Sequence, residues 1–191
     1  KGLIGELFFL KTHLIQKLSI DNSVGAWLGP TGAAQDFVMN DVSIEVKFRS
    51  GSTQPFVKIN RIDQLIPETK YMYLYVVSMS KASSEEKTSL TIPKLIQEIE
   101  SLIQGSEKTD ETLDVFYSKL FDIGYVYNEK YNDICFKILD ESLFNVTPNF
   151  PKINRSDIIE GIDKVQYNLS LRICEKYKES INKWQTHYDG N

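Results

Sequence analysis

From Asp36 to Phe48 the residues alternate in a way that one local fold satisfies well. Phe37, Met39, Val42, Ile44, Val46 and Phe48 are apolar, and Asn40-Asp41 interrupts them with residues that tolerate a tight turn. A hairpin centred on that dipeptide pairs Met39 with Val42, Val38 with Ser43, Phe37 with Ile44 and Asp36 with Glu45. Side chains alternate across a strand, so the apolar set takes one face while Asp36, Glu45 and Lys47 share the other. Two hard carboxylate ligands with open positions suit Mg²⁺, for which Mn²⁺ can substitute. An adjacent ammonium can orient a water or offset charge building up on phosphate. Alternation alone reads equally as the solvated face of an ordinary hairpin. A second acid-x-Lys pattern, Glu85-Glu86-Lys87, falls in a polar stretch with no apolar alternation to fix its side chains.

The rest of the chain frames this hairpin. Leu3, Leu7, Leu10, Leu14 and Leu18, broadened by Ile4, Phe8 and Ile15, predict an amphipathic helix carrying Glu6 and His13. Ser23 to Leu28 is predicted as a short strand, broken by Gly29-Pro30-Thr31-Gly32. After the hairpin, the turn residues 51–55 end its second strand, and Phe56 to Ile59 extends the sheet or lies along its rim. Asn60 caps a short helix with Ile62, Leu65 and Ile66. Tyr71 to Met79 is continuously apolar and predicts a central strand covered on both faces. The order is αβββαβ, an α/β core with a mixed sheet over 1–80. Beyond the polar loop Ser80 to Ser89, two amphipathic helices pass through Leu95 to Ile103 and Leu113 to Phe121, joined around Gly105. Alternation at Ile134, Phe136 and Ile138, and from Val165 to Ile173, predicts antiparallel strands. Residues 81–191 therefore form an α+β accessory region, packed with the core as one unit.

A length of 191 residues supports one substantial core. Net charge is −4, which argues against broad coating of nucleic acid but leaves room for a local cationic groove. From Val42 to Ile62 the basic residues Lys47, Arg49, Lys58 and Arg61 face only Glu45 as an acid, whereas Glu98 to Asp114 is mainly acidic. No leader or membrane-length apolar run is visible, and Cys135 and Cys174 lack metal-type spacing, so a cytoplasmic protein with reduced thiols is expected. Lys1 in place of an initiator methionine points to a longer polypeptide. Gly25, Gly29 and Gly32 precede no GK[ST], which excludes a phosphate loop. Two histidines and no nucleophile elbow leave a hydrolase triad without basis, and neither His13 nor His187 receives a role.

The segment order, with Gly2-Leu3-Ile4-Gly5-Glu6-Leu7, Ala26-Trp27-Leu28-Gly29-Pro30, Gln35-Asp36-Phe37, Ile44-Glu45-Val46-Lys47 and Asp63-Gln64-Leu65, resembles the PD-(D/E)XK nuclease superfamily. More closely it is similar to a sparsely characterised PD-(D/E)XK family associated with bacterial restriction and phage-defence loci. Gln35 stands where the superfamily's name has proline. The resemblance implies a restriction-endonuclease-like fold and a Mg²⁺-dependent DNA endonuclease in restriction or phage defence. Asp36 and Glu45 would bind the metal, the Val46 carbonyl would complete its shell, and Lys47 would position or activate water. Glu6 matches a supplementary acid on the first helix, although a first-turn acid favoured by the helix dipole fits equally. Gln64 matches a glutamine that supports the lysine, with a surface amide as its alternative. Arg49, Lys58 and Arg61 are candidates for phosphate contacts. Other defence proteins and a second copy of the chain are further partners left open. The alternative function is a noncatalytic DNA-binding or assembly module that keeps the nuclease fold; a protein-binding scaffold built on the acidic helices is a third reading.

Overall fold

The computed structural model describes residues 2–51, 54–86 and 88–188. Lys1, Ser52, Thr53 and Lys87 lie outside the described residues, and with them fall part of the turn after the hairpin, the lysine of the second acid-x-Lys pattern and the chain's first residue.

The apolar stripe at the start folds as predicted into α1 (Gly2–Phe9), which runs on into a π-helical turn, Leu10–Leu14. Ser23 to Leu28, predicted as a strand, is instead mostly helical, within α2 (Ile20–Ala26). Ile20, Val24 and Trp27 recur at i, i+4 and i+7, a helical period that the short local alternation masks. Only Trp27 keeps strand character, as an isolated antiparallel bridge to Phe37.

The hairpin forms in the expected register. β1 (Phe37–Met39) pairs with β2 (Val42–Ser50) through Phe37↔Ile44, Val38↔Ser43 and Met39↔Val42. Asn40 accepts the left-handed conformation that the turn requires, with φ 47°. β2 then runs parallel to β4 (Tyr71–Lys81) along its whole length. Between them, β3 (Phe56–Ile59) leaves the main sheet rather than extending it. It pairs instead with β6 (Tyr167–Ser170) in a separate two-stranded ribbon.

α3 (Ile92–Gln104) and α4 (Thr109–Asp122) are the expected helical pair. β5 (Phe136–Asn145) lies antiparallel to β4, and the short β7 (Lys178–Glu179) completes a mixed five-stranded sheet in the order β1-β2-β4-β5-β7. The alternation expected to run from Val165 to Ile173 stops at Ser170, where α5 (Leu171–Cys174) begins; α6 (Lys183–Tyr188) closes the described chain. β4 is covered on both faces, as its unbroken apolar run requires. Tyr73, Tyr75, Val77 and Met79 enter one core with α1, α3 and Trp184, while Met72, Leu74 and Val76 enter a second with Val57, Ile59, Leu65 and Leu169. Tyr73 and Tyr75 are thus core residues. Both cysteines are free and buried, and among the described residues no helix is long and apolar enough to cross a membrane.

Candidate active site

β1 is short and β2 is long, and this mismatch creates the site. The ladder between them ends at Phe37↔Ile44, so Asp36 does not pair with Glu45 across it. Past Ile44, no strand among the described residues lies beside this edge of β2. Asp36 fills the gap with its side chain, whose Oδ2 accepts a hydrogen bond from the Val46 amide at 2.7 Å. Side chains from both faces of β2 meet around this edge.

Glu45 and Lys47 project to the face that carries Leu74 and Val76, their register partners on β4. That face is not solvated. Glu45 is 1% exposed and the Lys47 side chain 12%, which removes the reading of an ordinary polar hairpin face. Lys47 Nζ lies 2.5 Å from Glu45 Oε1 and donates to Gln64 Oε1 at 3.1 Å. Gln64, on the 3₁₀ turn Ile62–Leu65, also accepts from the amides of Asn60 (2.9 Å) and Arg61 (3.4 Å), so its carbonyl oxygen is held in place for the lysine. Glu45 Oε2 is buried with no hydrogen-bond partner.

From the other side, α1 supplies Glu6. Gly5 lets the helix sit against Val46 and Val77: a Cβ there would meet their methyl groups at 3.4 and 3.3 Å. Glu6 Oε2 accepts from the Trp27 indole Nε1 at 2.9 Å. Gly29 lies between the two acids, since a Cβ at that position would stand 2.8 Å from Asp36 Oδ1 and 3.0 Å from Glu6 Oε2. The amides of Leu28 and Gly29 both donate to the Asp36 carbonyl, at 2.8 and 2.9 Å, and lock this turn onto the start of β1.

The electrostatics follow from confinement. Desolvation, then the charges of Glu45 and Glu6, push the Asp36 carboxyl well above the usual carboxylate range. Burial raises Glu45 to about 7, with Lys47 pulling in the opposite direction. Burial also raises Glu6, against the Trp27 hydrogen bond and the Lys47 charge. These acids share one poorly solvated space with Lys47 as their nearest cation, and a divalent ion would relieve both the crowding and the unpartnered Glu45 Oε2. The donor chemistry fits a hard cation such as Mg²⁺. Among the described residues, no three His, Cys, Asp or Glu side chains already close around a common point as a metal cluster does.

The proposed phosphate contacts divide. Arg49 donates to Ser78 Oγ at 3.2 Å and the Gln54 carbonyl at 3.4 Å. Lys58 is exposed on β3, in the separate ribbon. Arg61 is the one whose charge acts on Glu45, while it pairs with Asp63 at 3.2 Å and donates to the Ala33 carbonyl. It also lines a cleft of about 630 Å³ with Arg155 and Lys164 from the chain's second half. His13, given no role, bonds Glu141 Oε2 at 2.6 Å beside the Tyr75 hydroxyl, away from the acids.

Three residues at the site escaped sequence reasoning. Trp27 and Gly29 lie in a stretch that carries the resemblance, but neither has a side chain that announces a role next to an acid. Gln35, where the superfamily pattern has proline, is buried and donates to the carbonyls of Asp63 (2.8 Å) and Ile66 (3.1 Å). It ties the segment that carries Asp36 into β1 to the turn bearing Gln64.

Residues 1–172 match the model of the family described as "Putative PD-(D/E)XK family member" (DUF4420). The chain belongs to this family. The mixed α/β architecture, with α1 on one face of a sheet in which β2 and β4 run parallel and the other pairs antiparallel, is consistent with the restriction-endonuclease-like fold expected of it. No curated protein and no solved structure matches the chain.

Proposed function

We propose that this PD-(D/E)XK family member is a Mg²⁺-dependent DNA endonuclease. The observation that carries the reading is the gathering of Asp36, Glu45 and Glu6 with Lys47 at the bare edge of β2, where burial and mutual repulsion hold the acids' affinity for protons high. Asp36 and Glu45 would hold the metal, with Glu6 in support. The Val46 carbonyl shares the strand edge of its amide, which already faces Asp36. Bound Mg²⁺ supplies Lewis-acid polarisation of the scissile phosphate and neutralises charge on its oxygens.

The protein's own part falls mainly to Lys47. An ammonium has three donors; one is directed to Gln64 while the charge pairs with Glu45, which leaves donor capacity for a water or a phosphate oxygen. Gln64 and Glu45 thus aim the lysine. The cleft lined by Arg61, Arg155 and Lys164 offers cations for the flanking phosphates. A place in bacterial restriction or phage defence is proposed from the family resemblance.

The test is Mg²⁺-dependent nicking or cutting of supercoiled plasmid by purified protein. Asp36→Ala and Lys47→Ala are each expected to lose about 10²-fold or more in rate. Unchanged rates in both would remove these residues from the chemistry. The competing reading, a noncatalytic DNA-binding module, draws on the Val46 amide and Lys47 already pairing with Asp36 and Glu45. It expects no effect of Mg²⁺ on the midpoint of thermal unfolding, and DNA binding that survives Glu45→Gln.

A further inference from the structure

Among the described residues, Lys119 is the most deeply placed lysine that the proposed chemistry does not use. It lies near the end of α4, is 7% exposed, and donates to three main-chain carbonyls: Val24 (2.7 Å), Gly25 (2.9 Å) and Trp27 (2.6 Å). These belong to the end of α2 and the residue beyond it, where carbonyls run out of amides from a following turn, although the Val24 carbonyl also accepts from the Trp27 amide at 3.3 Å. Burial pushes the ammonium down to about 8, which still leaves it charged near neutrality.

A surface-exposed helix end needs no such device, because water satisfies its carbonyls. What distinguishes this end is where the chain goes next. Trp27, gripped at its carbonyl by Lys119, turns a fully buried indole to Glu6. Two residues on, Gly29 sits against Glu6 and Asp36, and its amide is tied to the Asp36 carbonyl. The segment from Val24 to Gly29 is therefore fixed at one end by α4 and at the other by the acids.

We infer that Lys119 is a positioning residue: by anchoring Trp27 from α4 it holds Glu6, and through Gly29 the Asp36 carboxylate, in the arrangement the candidate metal site uses. Its effect on metal binding rests on the nuclease reading; its effect on the Trp27–Glu6 hydrogen bond does not.

Two readouts on the full chain separate these. The first is the indole N–H resonance of Trp27 in a ¹⁵N-labelled sample, with Trp184, the other tryptophan, as internal reference. The second is Mn²⁺ affinity by titration calorimetry. Lys119→Met keeps the aliphatic stem and removes the ammonium. It is expected to shift the Trp27 resonance and to weaken Mn²⁺ binding by about tenfold. In a Glu6→Gln background the same substitution is expected to cause a smaller loss than in wild type, because only the route through Gly29 to Asp36 remains. If Lys119→Met does not fold, Lys119→Gln, with two N–H donors on a shorter stem, is read in the same way. A lowered melting temperature with both readouts unchanged, or losses that simply add in the double variant, would overturn the inference. A wild-type protein that binds no Mn²⁺ counts against the nuclease reading. The Trp27 resonance then decides alone: a shift supports the positioning role and no shift ends it.

Discussion

At the scale of single residues, the site is defined by acids kept where ionisation is unfavourable. Glu45 shows the consequence for stability. Its carboxyl ionises near 4.5 in an unfolded chain but only at about 7 in the folded protein, so between those values the folded state holds a proton that the unfolded state has released. Folding therefore gains from this group at low pH, and the gain disappears as pH rises through about 7. Metal-free wild type is expected to lose melting temperature relative to Glu45→Gln between about pH 5 and about pH 8, read by calorimetry across a buffer series. A constant difference across the series would contradict the placement of Glu45 in a poorly solvated pocket. Saturating Mg²⁺ is expected to reverse the trend, since an ion at about 100 times its Kd stabilises by about 2.7 kcal/mol. Gly29 gives a complementary test. A methyl there would press first on Asp36 Oδ1 and Glu6 Oε2, with the Asp36 Cα behind them at 3.4 Å. Gly29→Ala is expected to weaken Mn²⁺ binding by about tenfold with little change in melting temperature. A methyl that costs stability but not metal affinity would place the crowding elsewhere.

At the scale of elements, the turn at Asn40-Asp41 sets the register of β2 and so decides which residues reach the site. Asn40 has φ 47°, a conformation that β-branched residues resist. Asn40→Val is expected to destabilise the protein by about 1–2 kcal/mol in urea unfolding, whereas Asn40→Gly should leave stability near wild type. Equal effects of the two would mean that the turn is not held in that conformation. This hairpin was legible in the sequence because alternation and turn chemistry agree over a dozen residues. The α2 segment was not legible, because Val24, Ala26 and Leu28 alternate over a stretch too short to separate periods of 2 and 3.6. The strand expected from Val165 to Ile173 was half right. Its alternation continues past Ser170, but the backbone turns into α5 so that Leu171 and Cys174 enter the second core. Within the candidate site, Asp36, Glu45 and Lys47 could be named from their types and spacing, and Glu6 only from the family resemblance. The contacts of Trp27, Gln35 and Lys119 could not, because each depends on segments distant in sequence meeting in space.

At the scale of the whole molecule, the first eighty residues carry the acids but do not make a closed structure. β4 is paired on both edges, with β2 on one side and β5 on the other, from Tyr73↔Asn145 to Lys81↔Phe136. Removing β5 would leave a long apolar strand with an unpaired edge, the usual template for intermolecular pairing. It would also uncover Leu74 and Val76, whose core includes Phe144, Val146, Phe150 and Leu169, and would take Trp184 from the opposite core. The same cut removes Lys119 from the turn that carries Trp27. A fragment ending at Lys81 is therefore expected to aggregate, or to lack cooperative unfolding, even though Asp36, Glu45, Lys47 and Gln64 all lie within it. Size-exclusion chromatography and thermal unfolding by circular dichroism decide the matter. A monomeric fragment with a sharp transition and wild-type Mn²⁺ affinity would show that the second half is an addition to the site's scaffold rather than part of it. Loss of Mn²⁺ binding from a fragment that still folds would instead fit a site whose geometry is maintained from the far half of the chain, through α4.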